Sequence, residues 1–219
     1  MRLRRLELER LVAERRALVA LLALALFSIV ALMWLWVSSA GALPGDRALA
    51  AWAQRRPPSE RFNDVDFFFG GWAAGPIAIG VTALGAAVTA RRSGPRYGAL
   101  VVAAALAAPL NELVAAILGP PPLAAAFFRG QSVFPSGHAA FACAMGGVLA
   151  LLAWSRGLWE AALIVAGVAF ATGVSRVFSG AHALSDVLAG YALGAGWLLV
   201  VLAIGVPAPA GGAASPAPR

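Results

Sequence analysis

The chain contains no lysine: all seventeen of its basic residues are arginine, set against ten acids for a formal charge of +7. A single cysteine, Cys143, excludes an internal disulfide framework and any multi-cysteine metal site. It stands among Phe141, Ala142, Ala144 and Met145, where a thiol reads as a small buried hydrophobe. Charge of either sign is scarce, with 12% of residues charged, 61% hydrophobic and a mean hydropathy of +0.81. Soluble domains run at about 25% charged and 45–50% apolar, so a soluble globular domain is excluded. A nucleic-acid partner is excluded too, because nucleic-acid binders gather charge on one solvated face, whereas these arginines are spread between apolar runs. The remaining class is a protein whose surroundings are membrane lipids.

A spanning helix needs about 20 mainly apolar residues. Six segments supply them, near 17–37, 67–90, 97–119, 136–154, 158–178 and 183–206. The predicted fold class is therefore all-α, a polytopic six-transmembrane-helix bundle over residues 17–206. The first segment is too long for the 7–15 residues of a signal-peptide core and no A-x-A site comes closely after it, so it is read as a retained span. Ahead of it, residues 1–16 alternate arginines with Leu3, Leu6 and Val12, the pattern of an amphipathic helix on the membrane surface. Residues 207–219, rich in Pro, Ala and Gly, read as a disordered tail. Gly71/Gly75 and Gly190/Gly194 are two small-xxx-small faces, suited to close helix packing or to pairing of two copies as a homodimer.

Orientation is read from the arginines of the short loops, since positive charge stays on the cytoplasmic side. With the N-terminus inside, the inner segments hold eleven: six in residues 1–16, then Arg91, Arg92, Arg96, Arg156 and Arg219. The outer segments hold five: Arg47, Arg55, Arg56, Arg61 and Arg129. Both termini are expected in the cytoplasm of a cell-membrane protein. Ionisable groups inside spans cost about 2.5–3.5 kcal/mol each on insertion scales and call for a reason. Four regions carry polar groups: Asn111-Glu112, Ser136-Gly137-His138, Ser175-Arg176, and His182 with Asp186. In the derived topology all except Glu112 gather at the outer face.

Pro135-Ser136-Gly137-His138 reads as a helix start, with Pro setting the entry, Ser capping, and Gly letting a ligand approach the free N–H groups. Phosphate is a common occupant of such an anion site. His182 and Asp186, four residues apart, are expected on one helical face, where the carboxylate fixes one imidazole tautomer and leaves a nucleophile or base. Arg176 brings a planar fork of donors matched to phosphate oxygens, and Ser175 a hydroxyl. Zinc is the other reading of two His and an Asp, but a cation fits poorly beside Arg176 and a positive helix end.

At these residues the sequence resembles the type 2 phosphatidic acid phosphatase superfamily of integral-membrane lipid phosphatases. Pro135–His138 matches its Pro-Ser-Gly-His motif, and Ser175, Arg176, His182 and Asp186 match Ser-Arg-x5-His-x3-Asp with every spacing kept. The resemblance implies that His182 attacks phosphorus to give a phosphohistidine, that Asp186 orients it, and that His138 protonates the leaving group. It also implies that Ser136, Gly137, Ser175 and Arg176 hold the phosphoryl oxygens, with no metal or other cofactor. The implied substrate is a polyprenyl (di)phosphate or a phosphatidic-acid-type lipid, met at the extracytoplasmic face.

The family's first motif, Lys-x6-Arg-Pro, is absent. The corresponding stretch runs Asn111-Glu-Leu-Val-Ala-Ala-Ile-Leu-Gly119-Pro120-Pro121-Pro122, and no register supplies a base. With Pro120 as the motif's proline, Glu112 stands where Lys belongs and Gly119 where Arg belongs. The gap leaves three expectations. Arg129, before Arg55, Arg56 or Arg61, folds in as the replacement cation; or the substrate is unusual, with Glu112 facing a cationic group or Arg176; or the chain is a non-catalytic lipid-phosphate binder or partner subunit on the same fold.

Overall fold

The computed structural model describes residues 7, 10–55, 64–119 and 134–206. Among them there is no strand, and nine helices of eight residues or more carry the architecture: α1 (Arg16–Ala40), α2 (Asp46–Gln54), α3 (Asp64–Gly71), α4 (Gly75–Ser93), α5 (Pro95–Ala105), α6 (Ala107–Leu118), α7 (Gly137–Ser155), α8 (Trp159–Phe178) and α9 (Leu184–Gly205). The all-α expectation holds. Among the described residues five helical stretches are long and apolar enough to cross a membrane: α1, α5 with α6, α7, α8 and α9. The segment expected at 67–90 is instead broken by a turn at 72–74. Pro76 offers no N–H to the Trp72 carbonyl and its ring crowds that oxygen, so one continuous helix cannot run through. Helix α4, on the far side of the turn, is 19 residues long and ends on Arg91 and Arg92, which lower its apolarity. Pro109 acts in the same way on the Ala105 carbonyl, and the stretch 95–118 bends there into α5 and α6.

The helices run between two ends, which contacts define. At the upper end α1 finishes at Gly41, whose φ of +82° closes the helix with Gly41 N–H donating to Val37 O, and α7 and α9 begin side by side, Ser136 N–H donating 2.9 Å to Asp186 O. At the lower end the Arg96 guanidinium donates to Gly205 O at 2.6 and 2.8 Å, Arg16 donates to Val206 O, and Arg156 donates to Ser93 Oγ. Arginines thus answer the open carbonyls of the α9 C-terminus, where cations are favoured. Val12, from the helical residues 10–14, is buried in the core at this end with Tyr97, Leu100 and Val206.

Helices α7 and α9 form the centre, with about half of their residues buried, while α1 is mostly exposed and packs mainly along α9. Glycine explains how closely α7 and α9 approach. A Cβ on Gly190 would stand 2.5 Å from Ser136 O, and one on Gly194 would stand 3.0 Å from Cys143 Cβ. The Gly190/Gly194 face is thus occupied within the chain, and Cys143 is half-buried against it rather than sealed in the core. Outward, Leu21, Leu32, Ile117, Leu163, Ile164 and Ile204 are exposed on several helices, as expected of a lipid-facing belt. Trp36 and Trp52 are exposed toward one end and Trp154 and Trp159 toward the other, the arrangement of two interfacial aromatic belts.

Candidate active site

The polar residues singled out by sequence lie toward the upper end, delivered in groups by α6, the start of α7, the end of α8 and the turn into α9. Helix α7 begins at Gly137 with Ser136 as its N-cap residue. The capping expectation is not met: Ser136 makes no side-chain cap, and its Oγ is fully buried without a hydrogen-bond partner among the described residues. The N–H groups of Gly137, His138 and Ala139 precede the first intrahelical bond, Ala140 N–H to Ser136 O, and point out of the helix end. From α6, Asn111 is buried and donates through Nδ2 to Pro135 O at 3.1 Å. Its neighbour Glu112 is exposed, with Oε1 3.5 Å from where a Gly137 Cβ would lie. Gly137 is thus the residue that gives α6 room to approach this turn.

His182 and Asp186 are in contact, Nδ1 to Oδ2 at 3.4 Å, with the two side chains 13% and 1% exposed. The reason differs from the expected one. Helix α9 starts only at Leu184, so the pair does not share a helical face; His182 lies in the turn before the helix. Asp186, in the first helical turn, reaches back, and its Oδ2 also accepts the Ala183 N–H at 3.0 Å. The turn is pinned from the other side by Arg176 O, which accepts from Ala181 N–H at 3.0 Å and His182 N–H at 3.1 Å. A 3.4 Å separation is long for a hydrogen bond, a common state of catalytic pairs without substrate.

Arg176 sits in the last turn of α8, and its guanidinium packs on the backbone of Gly70 in α3, where a Cβ would stand 2.6 Å from Cζ. Arg176 and His182 are both within electrostatic range of His138. The only two imidazoles of the chain therefore lie together with the guanidinium, next to the open end of α7.

A model of the PAP2 superfamily matches residues 96–208, a stretch that holds every one of these residues except Gly70. The chain belongs to the PAP2 superfamily. No match to a curated protein reaches significance. Among solved structures, that of a Bacillus subtilis protein described as the first transmembrane PAP2 type phosphatidylglycerolphosphate phosphatase aligns with a TM-score of 0.65 at 21% identity, over 82% of this chain and 93% of that one. At that identity the likeness establishes the fold: a multi-pass, all-helical PAP2 membrane protein.

Measured against the superfamily's motifs, the second and third converge here, and the first does not appear. Ser175 is half-buried, and its hydroxyl donates to Thr172 O at 2.8 Å. Arg129, Arg56 and Arg61 lie outside the described residues, and Arg55 is exposed at the end of α2. Sequence reasoning missed two residues that touch the site's supports. Gly70 was hidden in an expected span. Asp46, fully buried, accepts Leu43 N–H at 2.8 Å and Ser185 N–H at 2.9 Å. Its signal was the Pro44-Gly45-Asp46 turn ahead of an amphipathic run; its partner on α9 had no sequence signal.

Proposed function

We propose that this PAP2 protein is a lipid-phosphate phosphohydrolase acting through a phosphohistidine, on a polyprenyl (di)phosphate or phosphatidic-acid-type lipid. The observation that carries the reading is the side-by-side start of α7 and α9. It sets the His182–Asp186 pair, His138 and Arg176 around one cluster of outward N–H groups. In the proposed reaction the phosphate seats on the N–H groups of Gly137, His138 and Ala139 and on the Arg176 guanidinium, where positive partial charge is already in place. His182 Nδ1 faces Asp186, which leaves Nε2 to attack phosphorus. As the P–N bond forms, the P–O bond to the lipid breaks, and His138 gives its proton to the departing oxygen. His138 then takes a proton from water, the water oxygen displaces His182 from phosphorus, and inorganic phosphate leaves. None of these steps calls for a metal.

The same reading includes six crossings with both termini cytoplasmic. Helix α2 is tied to the upper end through Asp46 and α5 starts at the lower end through Arg96, and these two positions support α4 as the crossing between them. Arg16, Arg91, Arg92, Arg96 and Arg156 at the lower end support a cytoplasmic placement for it and an extracytoplasmic site.

The test is phosphate release by the purified chain from phosphatidic acid, polyprenyl mono- and diphosphate and, because of the name borne by the Bacillus protein, phosphatidylglycerol phosphate. Release is expected, absent in His182→Ala and unaffected by EDTA. Silence of the wild type on every lipid, with retained lipid-phosphate binding, would replace the reading with the non-catalytic binder.

A further inference from the structure

Asp46 is a carboxylate with no exposed surface, seated 136 residues before the residue assigned as nucleophile and outside the stretch matched by the family model. Its surroundings are apolar, with Ala42, Ala50 and Ala183 forming one small cluster beside it. A carboxylate stays in such a place only if both oxygens are answered. They are: Oδ2 closes its own turn by accepting Leu43 N–H, and Oδ1 crosses to α9 and accepts Ser185 N–H. Ser185 is the second residue of α9 and lies between His182 and Asp186.

We infer that Asp46 is a positioning residue: it caps the first turn of α9 from another helix and thereby fixes the His182–Asp186 pair against the start of α7. Asp186 does not supply this cap: its Oδ2 accepts the Ala183 N–H and faces His182, while the Ser185 N–H donates to Asp46. Ser185 is 1% exposed, so water cannot supply it either. Removing the carboxylate leaves the Ser185 N–H buried and unsatisfied, and the cheapest relief is for the turn at 182–185 to unwind toward solvent. That movement carries His182 off Asp186. A second consequence concerns where the anion sits. Carboxylates accept from the α9 start at Ala183 and Ser185, while among the described residues the N–H groups of Gly137, His138 and Ala139 at the α7 start beside it make no hydrogen bond. Asp46 therefore also directs phosphate to α7.

This inference rests on the proposed hydrolase reading for its kinetic arm only. The full chain, carrying a histidine-free affinity tag, is assayed in mixed micelles on dioleoyl phosphatidic acid. Asp46→Ala is expected to lower kcat at least tenfold with KM within threefold of wild type. Asp46→Asn retains a carbonyl oxygen for Ser185 N–H but sets its amide NH2 against Leu43 N–H, so it is expected to lose stability while kcat per folded molecule stays within threefold. The second arm needs no turnover. With only two histidines in the chain, His138→Gln leaves His182 as the sole imidazole, and ring-15N labelling reports its tautomer by NMR. One tautomer is expected with Asp46 present and an exchanging mixture after Asp46→Ala. A retained kcat together with a single tautomer in Asp46→Ala overturns the inference. So does a loss of activity in both variants that follows only the fraction of folded protein while the tautomer stays single. A wild type silent on the lipid refutes the hydrolase reading, and the NMR comparison still decides the role of Asp46.

Discussion

Replacing Gly70 by alanine separates the position of Arg176 from the stability of the fold. A Cβ built at Gly70 stands 2.6 Å from Arg176 Cζ and 2.9 Å from Nη1. Carbon atoms rest at about 3.5–4.0 Å, so the guanidinium must withdraw by roughly 1 Å. It is the far end of a flexible side chain, and moving it strains no backbone. Alanine is also favoured over glycine inside a helix by about 0.5–1 kcal/mol, so Gly70→Ala should melt no lower than wild type. Activity should behave otherwise. One charge-assisted contact to phosphate is worth about 1.5–3 kcal/mol, which corresponds to a fall of about 10- to 150-fold in kcat/KM. The assay is phosphate release from phosphatidic acid in mixed micelles, run beside thermal unfolding in the same detergent. Gly71→Ala is the control, because a Cβ there meets nothing within 4 Å. A Gly70→Ala enzyme with wild-type kcat/KM would refute the assignment of Arg176 as a phosphate ligand seated by α3.

His182→Ala is expected to abolish phosphate release and His138→Ala nearly so, with wild-type activity surviving EDTA; loss on chelation that a divalent metal restores would overturn the mechanism. Gly190→Ala drives a Cβ against the Ser136 carbonyl, which is backbone and cannot step aside, so a loss of about 1–3 kcal/mol in stability is expected by denaturant or thermal unfolding. In a Cys143→Ala background, Ser39→Cys at the upper end should react with an impermeant thiol reagent on intact cells and Glu160→Cys at the lower end should not; the reverse pattern would turn the site toward the cytoplasm. Arg129→Ala, if that residue replaces the missing motif cations, should lower activity at least tenfold, about 1.4 kcal/mol, while Arg55→Ala stays near wild type.

Most of the helical framework was legible because lipid exposure demands long apolar runs, and the polar exceptions within them stood out for the same reason. The Pro135–His138 and Ser175–Asp186 segments named the residues that meet, and they do meet. The breaks were harder to read. Pro76 and Pro109 both interrupt helices, yet Pro109 only bends its span while Pro76, next to Gly75 at φ +52°, ends α3 with a turn. Hydropathy averages over both. The His182–Asp186 contact was anticipated by spacing, but through the wrong geometry, because nothing local marks α9 as starting two residues after His182 rather than before it. Asp46 was only half legible: the Pro44-Gly45 turn marks the start of α2, but the carboxylate looks solvated until its partner, Ser185, is known to lie against it.

The pairing of α1 with α9 also governs the order of assembly. These two helices open and close the bundle, and the strap from Asp46 to Ser185 joins residues 139 apart in sequence. Chains are made and inserted from the N-terminus, and contacts between distant segments wait for the later one to arrive. Helix α1 therefore enters the bilayer with its main partner still unmade, holding only its own apolar surface against lipid. Helix α9, made after the other described helices, brings Asp186 to His182 and its packing face to α1 in a single step. On the proposed mechanism the chemistry waits for α9: a chain interrupted between Ser155 and Leu184 holds the α7 start but lacks the Asp186 that holds His182 beside it.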